Sequence, residues 1–176
     1  MKRAFALVVL LLMALPGLAG GRKILPTAVL NAKYVIVIPQ SVTQPTREMF
    51  NSETGPEFSV AGLTNDERNG YTAVQNAFQS WGKYRVTQSW RQADLRVFIS
   101  RSVVRGKPAK NAPRSYRDEM QVYLADGSEF PAWRGTGIDG LSGSDPKLVQ
   151  QFRQAVEEAA KDQELREQRK RVPKNP

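Results

Sequence analysis

The chain has 176 residues, a formal charge of +9, and neither histidine nor cysteine. Lacking imidazole and thiol, it can form no Ser-His-Asp triad, no thiol nucleophile and no histidine- or thiolate-bound metal site. No cofactor or metal is expected, and no catalytic residue is assigned. The basic balance favours anionic partners but carries no information about fold.

At the amino terminus, Lys2 and Arg3 precede an uninterrupted apolar run of 12 residues, Ala4 to Leu15. Pro16 and Gly17 break it, and Gly17 and Ala19 place small residues where a signal peptidase reads. The run is short of the roughly 20 residues a spanning helix needs. Residues 1–19 therefore read as a signal peptide, with Gly20 opening an exported chain, periplasmic or extracellular, that keeps no transmembrane helix. The chain from Gly20 onward is long enough for one domain, and with no disulfide to stabilise it the hydrophobic core must suffice.

"AKYVIVIP", residues 32–39, is apolar on both faces and rich in Val and Ile, the pattern of a central strand. Pro45, Gly55, Pro56 and Gly62 mark residues 40–63 as an irregular loop. Thr64 and Glu67 spell a capping box, and Tyr71, Val74, Phe78 and Trp81 come next at helical spacing until Gly82. Residues 84–88 read as a short strand. "ADLRVFIS" alternates next, with Leu95, Val97 and Ile99 on one face and Arg96 and Phe98 on the other. Met120, Val122 and Leu124 begin a hairpin that turns at Asp126-Gly127 and returns through 130–134, where Pro131 suits only a rim strand or a bulge. Asp145-Pro146 opens a last helix whose apolar stripe runs from Leu148 to Ala159, and residues 161–176 read as a charged, frayed tail.

The order is β-α-β-β-β-β-α within a single domain, residues 20–160. An α+β fold accommodates it: one mixed sheet of about five strands with two helices packed on one face. The stretches "LPTAVLNAKYVIVI", "WGKYRV" with "ADLRVFI", and "AWRGTGIDGLSGSDPKLVQQFRQAVEEA" resemble small exported bacterial proteins of unknown function. More distantly they resemble periplasmic lipoprotein domains of unknown function and TolB amino-terminal-like domains. The resemblance implies a fold and an extracytoplasmic address, and it carries over no catalytic residue. The chain departs from the lipoproteins in having no cysteine to lipidate.

Three features bear on function. Asp118, Glu119, Asp126, Glu129 and Asp139 are the carboxylates a hydrolase of an envelope polymer would draw on. Adjacent Asp118 and Glu119, however, point to opposite sides of a strand, and Asp126 serves a turn. "GTGIDG", residues 135–140, matches the spacing of a dinucleotide loop but comes after the last strand, so it reads as a flexible glycine loop. From Lys83 to Arg117 there are ten cations and one acid, Asp94. The densest part holds Arg101, Arg105, Lys107, Lys110 and Arg114, the candidate contacts to an anionic envelope component. Only Tyr116 is near to stack on a base, so nucleic acid is not expected.

Alternation also sends Phe98 and Tyr123 to the sheet face away from the helices, which would leave an apolar patch for a protein partner or weak self-association. The function that fits is an exported, non-enzymatic binding or assembly module of the bacterial cell envelope. The alternative is a carboxylate-dependent hydrolase.

Overall fold

The computed structural model describes residues 25–39, 47–55, 60–104, 115–128 and 130–171. The elements in chain order are α1 (Thr27–Asn31), β1 (Tyr34–Pro39), α2 (Arg47–Asn51), a 3-10 turn (Val60–Gly62), α3 (Asn65–Trp81), β2 (Arg85–Val86), β3 (Leu95–Val103), β4 (Tyr116–Leu124), β5 (Trp133–Ile138) and α4 (Lys147–Arg171). The signal-peptide segment lies outside the described residues. Among the described residues, no helix is long and apolar enough to cross a membrane.

One five-stranded sheet, order β2-β1-β3-β4-β5, organises the domain. β1 pairs parallel with both β2 and β3, while β3, β4 and β5 run antiparallel. The mixed sheet and the two long helices on one face are the α+β arrangement expected. β5, after Pro131, forms the rim.

The helix-side core results from alternation. Val35 and Val37 of β1, Leu95, Val97 and Ile99 of β3, and Met120 and Val122 of β4 meet Tyr71, Val74 and Phe78 of α3 and Leu148, Phe152 and Val156 of α4. Thr64 caps α3 as its sequence requires: its hydroxyl accepts from the Glu67 N–H, and the Glu67 carboxylate accepts from the Thr64 N–H at 2.9 Å. Gly82 ends the helix at φ 73°, a left-handed conformation that glycine adopts without strain. Tyr84 is buried against Phe78 and Phe152, and its hydroxyl donates to the Val29 carbonyl at 3.0 Å, tying α1 to the core.

Asp94, the one acid in the basic stretch, is structural. Its carboxylate accepts from the N–H groups of Lys33 and Tyr34 at 2.7 and 2.9 Å, fastening the start of β1 to β3.

Three expectations are corrected. The segment 40–63 is not wholly irregular, because Arg47–Asn51 is helical and lays Phe50 on the sheet. The final helix does not fray at Lys161 but continues to Arg171. No Gly or Pro interrupts it, and Gln163–Glu167 and Gln168–Glu164 hydrogen bonds at i,i+4 support its exposed end. "GTGIDG" is not a free loop: Gly135 to Ile138 lie in β5. A Cβ at Gly135 would sit 2.4 Å from the Trp133 ring, and one at Gly140 2.8 Å from Leu148. Packing, not a phosphate, accounts for these glycines.

Candidate functional site

β3 and β4 stay paired as far as Val103 and Tyr116, and the Val104 N–H donates to Ser115 O at 2.9 Å. Arg101 and Asp118 face each other across this pair, on the helix side. Two antiparallel strands with matched alternation put them there: Arg101 shares parity with Ile99, and Asp118 with Met120.

The Asp118 carboxylate is fully buried. Arg101 grips it with two parallel bonds, Nε to Oδ1 and Nη2 to Oδ2, both 2.8 Å, and the Leu141 N–H donates to Oδ2 at 2.8 Å. The remaining Arg101 donors reach the Asp66 carbonyl at 3.0 Å and the Ser142 hydroxyl at 2.8 Å, and its Cζ lies 4.8 Å from the Tyr116 ring centroid. The hydrogen bond to Asp118 pushes the Arg101 pKa further above its ordinary range. Arg101 thus binds α3, β4 and the β5–α4 turn together.

The neighbouring acids are also engaged. The Tyr116 hydroxyl donates to the Asp66 carboxylate, and the Tyr116 N–H donates to Asp139 Oδ1 at 2.9 Å. Asp139, at φ 51°, makes the turn after β5. Glu119 lies on the opposite face, paired with Arg134 at 2.7 Å, and Asp126 accepts from the Ser128 N–H in the hairpin turn. Glu129 lies outside the described residues.

Beside the node, Pro39, Leu63, Gly70, Ile99 and Leu141 line a small depression at the carboxyl end of β1. Its polar rim is Glu67, Ser100 and Arg101. Glu67 is committed to the α3 cap and Arg101 to Asp118, so neither carboxylate nor cation is free there.

Of the five candidate anion contacts, Arg101 is placed by the structure in this internal pair, with its side chain 7% exposed. The other four, Arg105, Lys107, Lys110 and Arg114, lie outside the described residues. Arg117, not singled out from sequence, is exposed at the base of that segment.

The second candidate surface is corrected. Phe98 is 1% and Tyr123 5% exposed, so they form no open patch. Phe50 of α2 packs on both, at ring-centroid distances of 5.9 and 5.0 Å, and Trp90 of the β2–β3 connection stands edge-on to Phe98. Ile36 and Ile38 complete this smaller core. A strand apolar on both faces must be covered on both, and the 47–55 segment supplies the second cover.

Arg96 is buried within that cover, its Cζ 3.8 Å from the Trp90 ring centroid and its Nη1 donating to Phe50 O at 3.3 Å. Desolvation lowers its pKa. The Arg96 Nε and Trp90 Nε1 donors have no partner among the described residues. Trp90 is held on one side by Arg96 and approached closely by Gly55, at φ 76°.

No family model and no curated protein matches the chain. Among solved structures, the chain is similar to the PelC dodecamer from Paraburkholderia phytofirmans, with 12% identity and a TM-score of 0.39, over 60% of this chain and 69% of that one. A point variant of the same dodecamer gives 11% identity and a TM-score of 0.39, over 60% and 70%. At that level the likeness assigns no function.

Proposed function

We propose that the protein is an exported, non-catalytic binding module of the bacterial envelope that holds an anionic component at the β3–β4 end of its sheet. The observation that carries this reading is the buried Arg101–Asp118 pair at the root of the basic segment. It fixes the base of the β3–β4 connection and ties the end of the sheet to α3 and the β5–α4 turn. Arg101 is the cation that serves the fold, and Arg105, Lys107, Lys110, Arg114 and exposed Arg117 are the ones offered to a partner. The engagement of Asp118, Asp66, Asp139 and Glu119 in structural bonds supports a non-catalytic reading. A general acid or nucleophile needs a carboxylate free to exchange a proton or attack.

The test is binding to isolated envelope fragments as salt is raised. Replacing Arg105, Lys107 and Lys110 with Ser should weaken binding at low salt and leave thermal unfolding unchanged, since screening removes what those charges supply. Equal binding by the triple variant at low salt would refute the proposal.

A further inference from the structure

The sheet ends differently at its two edges. β2 offers 2 residues, too few to template a neighbour, whereas β5 offers 6. Natural edges of that length are blunted by lysine, proline, a bulge or a covering segment. Trp133–Ile138 contains neither lysine nor proline, and the β4–β5 register runs without a bulge from Val122–Trp133 to Arg117–Ile138.

The ladder fixes which backbone groups are left over. The Asp139 N–H donates to the Tyr116 carbonyl at 2.8 Å, so by alternation Gly137, Gly135 and Trp133 bond to β4. Arg134, Thr136 and Ile138 turn their N–H and C=O groups away from β4. Among the described residues no backbone hydrogen bond from outside the sheet reaches them. Their side chains are exposed on the part of the sheet face that α2 and Trp90 leave open. Phe130, 76% exposed, leads into this edge, and Ile138, 54% exposed, ends it. A strand laid along β5 would satisfy the outward groups between these two apolar side chains.

Packing and charge decide what that strand belongs to. α4 sits on β5, with the Phe152 ring centroid 5.3 Å from that of Trp133 and Leu148 3.8 Å from where a Cβ on Gly137 would stand. A second copy joined edge to edge would set two such helices over strands about 4.8 Å apart, closer than the roughly 8–10 Å at which helices pack. A lone extended segment brings no helix. On the open face of β4 and β5 the cations are Arg117 and Arg134, and the one acid is Glu119, already held by Arg134 at 2.7 Å. An acid directly opposite Arg134 is therefore favoured and a cation there disfavoured.

We propose that the β5 edge is a docking site for an extended acidic segment of a partner protein. The segment adds as a further antiparallel strand on the backbone of Arg134, Thr136 and Ile138, antiparallel pairing being slightly the more stable. This site is separate from the anionic site at the β3–β4 end and does not rest on it.

The experiment uses the full chain as recovered from its native host. The probe is a dye-labelled, end-blocked peptide, Thr-Val-Ser-Thr-Ser-Glu-Thr, whose Val, central Thr and Glu would meet Ile138, Thr136 and Arg134. Fluorescence polarisation should show binding that weakens about ten-fold when the central Thr is N-methylated, and likewise when Glu is replaced by Lys. Thr136→Pro removes an N–H that points away from β4, so thermal unfolding should hardly move while peptide binding falls about ten-fold. The N-methyl comparison uses the wild type and stands even if Thr136→Pro fails to fold. In the free protein, amide exchange should be faster at Arg134, Thr136 and Ile138 than at Gly135 and Gly137, and it should slow when the peptide binds.

Absence of binding overturns the proposal. So does equal binding of the N-methylated peptide or by folded Thr136→Pro, because a peptide held by cations elsewhere is indifferent to both. Equal binding of the Lys peptide overturns the acidic class of partner. Protection of the three amides that rises with protein concentration, without peptide, makes a second copy the occupant and overturns the partner segment. Slow exchange at those amides in the dilute free protein shows the edge already paired and overturns the site.

Discussion

Replacing Asp118 with Ala tests the node directly. The carboxylate is fully buried and accepts three hydrogen bonds at 2.8 Å, two from Arg101 and one from the Leu141 N–H. Its removal strands a guanidinium whose side chain is only 7% exposed and leaves a buried amide unpaired. Breaking a buried ion pair from one side costs about 3–5 kcal/mol, because the surviving charge stays desolvated. Domains of this size have roughly 5–15 kcal/mol in total, so much of the stability should go.

Urea unfolding monitored by tryptophan fluorescence would measure it. The adjacent residue is the control: Glu119 pairs with Arg134 on the opposite face, where both groups reach water, so Glu119→Ala should cost less than about 1 kcal/mol. If Asp118→Ala also costs under about 1 kcal/mol, the node does not hold the hairpin base as described. The double change Arg101→Met with Asp118→Leu should recover much of the loss, since a packed apolar pair often matches a buried ionic one.

Phe98→Glu should destabilise by at least ~4 kcal/mol, because it places a charge among Phe50, Trp90 and Tyr123; a variant that unfolds like wild type would show this face to be open. Gly55→Ala should cost about 1–2 kcal/mol from its positive φ alone and more from the Cβ, 2.5 Å from Trp90, and apolar-dye binding should rise as the 47–55 cover loosens; unchanged dye binding counts against that cover. Tyr84 predicts an alkaline limit. Burial raises its pKa above the 10.0 of an unfolded tyrosine, so the neutral phenol contributes stability that is complete below about pH 10 and lost as pH rises toward the folded value. Tyr84→Phe should lose about 1 kcal/mol at neutral pH with the Val29 hydrogen bond, yet show a shallower decline above pH 10; parallel pH profiles would refute it.

The elements legible in the sequence were those whose signals are local. The Thr64–Glu67 box, the stop at Gly82 and the alternation through Leu95–Ile99 and Met120–Leu124 all reappear in the structure. Alternation even held the node in principle, since Arg101 and Asp118 carry inward parity. Their meeting depended on the β3–β4 register, set across a long connection that no short-range pattern reports. α2 was invisible because five residues are too few for a helical period. Phe50 and Trp90, which close the second face, come from segments whose composition is that of loops. The double-sided apolarity of β1 was the available signal that some cover had to exist.

The covered parts of the sheet narrow where a partner can touch this domain. The β2 edge is two residues long, α3 and α4 cover one face, and α2 with Trp90 covers β1, β3 and Tyr123 on the other, where Arg117, Arg134, Thr136 and Ile138 stay exposed. The acids that could have neutralised the basic stretch are consumed by the fold: Asp94 by the start of β1, and Asp118 by Arg101. Among the described residues, the cations at the β3–β4 end divide into Arg101, which holds structure, and Arg117, which is exposed, and two substitutions separate them. Arg101→Gln leaves the Asp118 carboxylate buried without its cation, so stability should fall by about 3–5 kcal/mol while binding per folded molecule changes little. Arg117→Ser removes an exposed charge, so unfolding should stay within about 0.5 kcal/mol of wild type while binding to envelope fragments weakens and becomes less salt-dependent. Titrating both variants on the same envelope fragments, with the folded fraction fixed by unfolding curves, decides the division. Weaker binding by folded Arg101→Gln together with unchanged binding by Arg117→Ser would reverse the assignment of the two arginines.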